Sequence, residues 1–244
     1  MKQLFHAFAM CQSMFCAIPC PFRVWDEDAR PKMLLCLPVV GLEIGLIWWG
    51  IAEFAAFLHL PELVRGLVIA LWPFLATGYL HLDGFMDVTD AVKSCRSLER
   101  RREILKDSHV GAFAVINVGM LMLAQFAFAA STEGDWRILI FVPVVSRCGS
   151  ALAVTLLKPM STSQYASQNF NRSHALVLAV MLVSAVAGGF LLCGKHGFAL
   201  LGGIAGYLMA LRKGYKSLEG MNGDISGYAL TCSELSALAV LALI

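Results

Sequence analysis

The segment His81-Leu82-Asp83-Gly84-Phe85-Met86-Asp87-Val88-Thr89-Asp90 carries three aspartates spaced four and three residues apart. On a helix each residue advances about 100°, so this spacing places all three carboxylates on one face. Three like charges so aligned repel one another and weaken a bare helix. A compensating cation is the economical answer. Oxygen-only ligands at this spacing suit a hard ion such as Mg²⁺, which proteins hold through a few carboxylates shared with substrate phosphates. Gly84 removes a side chain where a ligand would approach the backbone. The bland alternative is a solvated first helical turn, whose N-terminus favours acids; it explains one or two carboxylates better than three in line.

Two further segments have the chemistry to complete such a site. Arg100-Arg101-Arg102-Glu103-Ile104-Leu105-Lys106-Asp107-Ser108-His109-Val110-Gly111 is basic, with two acids, Glu103 and Asp107, among four Lys and Arg. It reads as a topology-setting basic loop at an anionic membrane face, and also as a source of cations for phosphate oxygens, with Asp107 joining the metal. Gly220-Met221-Asn222-Gly223-Asp224-Ile225-Ser226-Gly227 reads as a tight loop whose exposed N–H groups hold an anion, or as an ordinary helix start capped by Asn222 or Asp224. Arg147 lies inside an apolar stretch and needs an acidic or phosphate partner there. Glu43 and Glu53 are candidates for that acid. His59, His174 and His196 read as structural or solvated.

The elements that must position these residues are membrane helices. Of 244 residues, 58% are hydrophobic and only 15% charged, against roughly 25% charged in soluble domains. Mean hydropathy is +0.70. Apolar stretches near the length needed to cross a bilayer, about 17–25 residues, occur at 34–58, 63–80, 110–130, 136–157, 175–193 and 226–244, with a shorter one at 197–211. A first, partly interfacial helix near 4–19 is expected to be retained rather than cleaved, because it lacks an A-x-A pattern and is interrupted by His6 and Gln12. The total is seven or eight helices. Eight scattered cysteines show no C-x-x-C pair and imply no disulfide framework.

Lysine and arginine fall into one alternating set of loops. Arg23, Arg30 and Lys32; Lys93 to Lys106; Lys158 and Arg172; and Arg212, Lys213 and Lys216 are expected to be cytoplasmic by the positive-inside rule. The expectation is an all-α, polytopic membrane bundle, one catalytic domain over 1–244. Its cytoplasmic loops would be 81–109, 158–174 and 212–225, which puts all three chemical segments on one side.

These segments together resemble the cobalamin synthase family, the adenosylcobinamide-GDP ribazoletransferases. The family patterns H-x-D-G-x-x-D-x-x-D, R-x-x-E-I-x-K-D-S-x-x-G and G-D-x-x-G match His81 to Asp90, Arg100 to Gly111, and Gly223 to Gly227, followed by Glu234-Leu235. Ile18-Pro19-x-Pro21 and Ser146-Arg147 add to the likeness. The chain departs from the family at Ala17, Ala91, Ser167 and Thr231.

The resemblance implies a transferase of cobalamin biosynthesis. A ribose hydroxyl of α-ribazole, or its 5′-phosphate, attacks the cobinamide-linked phosphorus of adenosylcobinamide-GDP, and GMP leaves. It implies Mg²⁺ on Asp83, Asp87, Asp90 and Asp107, and phosphate or substrate contacts from Arg100, Lys106, Ser108 and Arg147. Asn222 and Asp224 would close the site. Either a carboxylate or His81 would accept the proton. The expected location is the cytoplasmic (inner) membrane of a prokaryote, with the site facing the cytoplasm. The partners are those small molecules and the bilayer, without nucleic acid, and a homo-oligomer is compatible. Two other classes also use membrane acids. A CDP-alcohol phosphotransferase carries a D-G-x-x-A-R stretch, absent after Asp83-Gly84 here. A cation-coupled transporter places its acids near the midplane, often between repeated halves; these sit at a helix end, and no repeat is visible.

Overall fold

A computed structural model of the chain describes residues 2–160, 163 and 172–244. Its regular elements are helical: α1 (Lys2–Phe15), α2 (Met33–Phe57), α3 (Glu62–Ala76), α4 (Leu80–Lys93), α5 (Leu98–Ile104), α6 (Ala112–Ser131), α7 (Val142–Leu156), α8 (Arg172–Cys193), α9 (Phe198–Leu218) and α10 (Gly223–Leu241). The all-α bundle is as expected. The seven or eight long segments read from hydropathy correspond to α1, α2, α3 and α6–α10, while α4 and α5 are short additional helices that carry the chemical motifs.

Four described stretches are long and apolar enough to cross a bilayer: Arg30–Phe57, Ala112–Ser131, Trp136–Leu156 and Ser173–Leu218. The bent pair Glu62–Ala76 and Leu80–Lys93 makes a fifth. Their outer faces are apolar and exposed, as lipid requires: Phe54 and Phe57 on α2, Val115, Met120 and Leu123 on α6, Leu176, Val180 and Val183 on α8. The last helix, expected as a span, is not among them. It is instead enclosed by protein, packed on α9, α4 and α7 with none of its residues exposed, so Ser226, Thr231, Ser233 and Glu234 are shielded. A helix lining the interior need not be apolar all round.

The chain turns sharply between α3 and α4. Gly78 (φ 56°) and Tyr79 (φ 65°) are both left-handed, and the two helices meet at 87°. Thr77 Oγ1 donates to Pro73 O at 3.1 Å, and the N–H of Ala17 donates to Ala76 O at 2.8 Å. The segment after α1 is thereby tied to this elbow, and α4 lies across the end of the bundle.

Two loop boundaries are corrected. The 81–109 segment is mostly helix, interrupted at residues 94–97 and 105–111. The 212–225 loop shrinks to four residues, because α9 continues to Leu218 and α10 begins at Gly223. Charged Arg212, Lys213 and Lys216 are helical residues whose long stems extend from a helix end. Most of the 158–174 loop, including Ser167, lies outside the described residues.

Candidate active site

The start of α10 closes on the first turn of α4. A Cβ added at Gly84 would lie 2.9 Å from the carbonyl oxygen of Asp224, and one at Gly227 would lie 3.2 Å from His81 Cα. Only small residues permit this approach, and it brings Asp83 and Asp224 to the wall of one cavity of about 120 Å³. His81, Ser150, Ser226 and Gly223 line the same cavity, with Phe15, Leu34 and Leu37 forming its apolar side. Asn222 caps α10: its Oδ1 accepts from the N–H of Ile225 at 3.0 Å, and its Nδ2 donates to Asp224 Oδ2 at 2.6 Å. The capping reading of this segment is realised, and the cap also holds the Asp224 carboxylate that lines the cavity. Ser150 and Ser226 hydrogen-bond each other behind it.

Asp87 continues the acidic face, repelled by Asp83, Asp224 and Asp90. Among the described residues, none of these four carboxylates forms an ion pair. Asp90 lies against Gly111, so closely that any Cβ there would collide with its carboxylate oxygens. The third acid therefore fixes the end of the basic segment beside α4. His81 presents an Nε2 that is shut off from solvent and has no hydrogen-bond partner.

The remaining expected residues are placed differently. Asp107 bonds to its own neighbour: its Oδ1 accepts from the His109 N–H at 3.0 Å and meets the ring Nδ1 at 2.7 Å. The backbone N–H and ring of His109 hold its carboxyl below the usual carboxylate range. Arg100 pairs with Glu103 at 2.7 Å on the surface, and Lys106 and Ser108 are exposed. Sequence reasoning missed Arg102, whose guanidinium donates to the carbonyls of Leu218 and Glu219 at 3.0 Å each. It satisfies the C-terminal carbonyls of α9, and anchors α5 to the turn that leads into α10.

Arg147 requires a correction. It is 1% exposed and ion-paired with Glu234 of α10, which also accepts from the Ser146 hydroxyl at 3.1 Å. Its acidic partner is neither Glu43 nor Glu53, the latter accepting from Trp49 Nε1 at 2.9 Å. Two enclosed charges stabilise each other where a solvated carboxylate has no such need. The pairing joins α7 to α10 through Nη1, while the buried Nη2 has no hydrogen-bond partner among the described residues. Glu234 is one of three glutamates embedded in apolar helices, with Glu43 and Glu53, and the sequence alone does not single it out.

These residues suit a divalent ion of a particular kind. Among the described residues no three His, Cys, Asp or Glu side chains converge closely enough to enclose a metal. Asp83 and Asp224 open on the cavity, with Asp87 and Asp90 continuing the same face of α4, and such an uncompensated acidic set matches Mg²⁺, which keeps much of its shell for water and phosphate oxygens. Asp83, Asp87, Asp90 and Asp224 fit that role; Asp107, engaged with His109, does so only after rearrangement.

The chain matches the family model for cobalamin-5-phosphate synthase over residues 7–242. It is 35% identical to the adenosylcobinamide-GDP ribazoletransferase of Clostridium botulinum (strain Alaska E43 / Type E3), over 98% of this chain and 97% of that one. Against the enzyme of the same name from Clostridium perfringens (strain SM101 / Type A) the identity is 35% over the full length of both. Against that from Brevibacillus brevis it is 33% over 97% of each. No solved structure matches. With its acidic α4 face, its basic segment and its α10 start drawn to one end of the bundle, this chain belongs to the cobalamin-5-phosphate synthase family.

Proposed function

We propose that the chain is an adenosylcobinamide-GDP ribazoletransferase, forming adenosylcobalamin or its 5′-phosphate and releasing GMP. The observation that carries this reading is the closure of α10 on α4, which sets Asp224 beside Asp83 on the wall of one cavity. The ribose hydroxyl oxygen of α-ribazole, or of its 5′-phosphate, forms a new bond to the cobinamide-linked phosphorus. The bond from that phosphorus to the bridging oxygen breaks, GMP carries away the electron pair, and the hydroxyl proton passes to a base.

Such transfers depend mainly on positioning and charge stabilisation. When bound, Mg²⁺ supplies neutralisation of the diphosphate oxygens. Asp83, Asp87, Asp90 and Asp224 would hold it. The exposed Arg100 and Lys106 reach the phosphates only if their segment folds over the cavity, which the Asp90–Gly111 contact anchors at one end. His81, or one of the carboxylates, takes the proton. The site is proposed to face the cytoplasm, in the inner membrane of a prokaryote.

Purified protein in lipid nanodiscs, given adenosylcobinamide-GDP and α-ribazole with Mg²⁺, should release GMP in equal amount to a cobalamin product identified by mass spectrometry. Chelating the metal should stop both. Consumption of a CDP-alcohol, or GMP release without a joined corrinoid, would replace this reading.

A further inference from the structure

The opposite face of α4 carries a second polar pocket that the proposed reaction does not use. Its volume is about 210 Å³, and it is lined by Phe85, Thr89, Val92 and Lys93 of α4, Asn117 of α6, Lys213 of α9 and Tyr228 of α10. Phe85, Thr89 and Val92 point away from the acidic face, because they lie about half a turn from Asp83, Asp87 and Asp90. The rings of Phe85 and Tyr228 stack at 5.5 Å. Thr89 is buried, yet its hydroxyl has no hydrogen-bond partner among the described residues. Neither lysine forms an ion pair among the described residues.

The two cations come from positions 120 residues apart and meet where the C-terminal ends of α4 and α9 adjoin the N-terminal ends of α6 and α10. Setting topology requires lysines on one side of the membrane; it does not require them to share a pocket with a free hydroxyl. Two of these helices carry exposed apolar side chains within about two turns of the pocket: Phe113, Ile116 and Met120 around Asn117 on α6, and Met209 about one turn before Lys213 on α9. A basic, hydroxyl-bearing notch at a helix-end plane, on helices that also carry exposed apolar side chains, has the chemistry of a phospholipid headgroup site. Tyrosine is suited to that interfacial depth.

We propose that this pocket binds the phosphate of an anionic phospholipid headgroup, with Lys93 and Lys213 gripping its charge and Thr89 donating to it. Binding joins α6, α9 and α10 to α4 and would steady the helix that carries the acidic face.

The test uses the detergent-purified full chain at about 0.15 M salt, where remote surface charges are largely screened. Short-chain phosphatidylglycerol, short-chain phosphatidylcholine and inorganic phosphate are titrated separately, read by retained ligand in native mass spectrometry and by thermal midpoint. Phosphatidylglycerol should bind and raise the midpoint, while phosphatidylcholine and inorganic phosphate bind much more weakly. In the double variant Lys93→Gln, Lys213→Gln the lipid should bind about 10–30-fold more weakly. The charge-matched control Arg212→Gln, Lys216→Gln, outside the pocket, should bind as the parent does, and so should Lys93→Arg, Lys213→Arg. Equal binding of the two lipids, inorganic phosphate matching phosphatidylglycerol, or undiminished binding by the lysine-free pocket would each overturn the proposal. None of these readouts uses turnover, so they stand or fall apart from the proposed enzymatic activity.

Discussion

At the scale of single residues, the buried Arg147–Glu234 pair shows how charge inside this bundle is made tolerable. Removing one partner leaves the other enclosed and uncompensated, a cost of about 3–5 kcal/mol, while replacing both with apolar groups of similar volume is often near neutral. Arg147→Met should therefore lower the thermal midpoint sharply and reduce accumulation in membranes. The double variant Arg147→Met, Glu234→Met should recover most of that loss, as fluorescence-detected thermal unfolding would show. A free phosphate-binding arginine would behave otherwise: Arg147→Met would leave the midpoint alone, and the second change would restore nothing. Asp83, Asp87 and Asp90 were legible in the sequence because like charges repeating at helical spacing are costly without a purpose. Arg147 was legible as a buried cation needing an acid, but its partner lies 87 residues away, and spacing alone does not reveal which glutamate is enclosed with it.

At the scale of elements, the site depends on how closely α10 approaches α4. Gly84 sits at the contact, so Gly84→Val would push its side chain into the Asp224 backbone. Overpacking of this kind costs about 1–3 kcal/mol. The variant should stay folded yet lose most turnover, because Asp224 and Asp83 no longer share a wall, whereas Gly119→Val, at a position with open space around it, should leave both properties unchanged. Comparing product formation and thermal midpoint for the two variants checks this. The helical nature of α4 followed from the sequence, since its acids repeat at helical spacing. The elbow before it did not. Tyr79 is left-handed, a conformation that a tyrosine does not advertise and that only the packing of Ala17 and Thr77 around the turn makes affordable. The end of α9 was misplaced for a related reason: Arg212, Lys213 and Lys216 look like loop residues by charge, although lysine and arginine are good helix formers.

At the scale of the molecule, hydropathy carries most of the information. Long apolar runs specify the bundle and leave lipid-facing side chains on α2, α6 and α8. The last helix, α10, departs from that pattern, because protein rather than lipid surrounds it. The proposed orientation has a direct check in Cys95, the exposed cysteine between α4 and α5. A membrane-impermeant maleimide should label it in inverted vesicles and leave it unlabelled in intact spheroplasts; labelling only from the outside would reverse the topology and place the site on the other face.

The central claim is that the acidic face of α4, completed by Asp224, holds a divalent ion together with the nucleotide's diphosphate. The most direct measurement is electron paramagnetic resonance of Mn²⁺, replacing Mg²⁺, bound to the purified protein with and without adenosylcobinamide-GDP. Mn²⁺ should bind weakly to the protein alone, in keeping with the open arrangement of carboxylates, and much more tightly once the nucleotide is present. Asp83→Asn should abolish that tightening while the thermal midpoint stays near the parent's. Tight Mn²⁺ binding that is indifferent to the nucleotide, or unchanged in Asp83→Asn, would contradict the account.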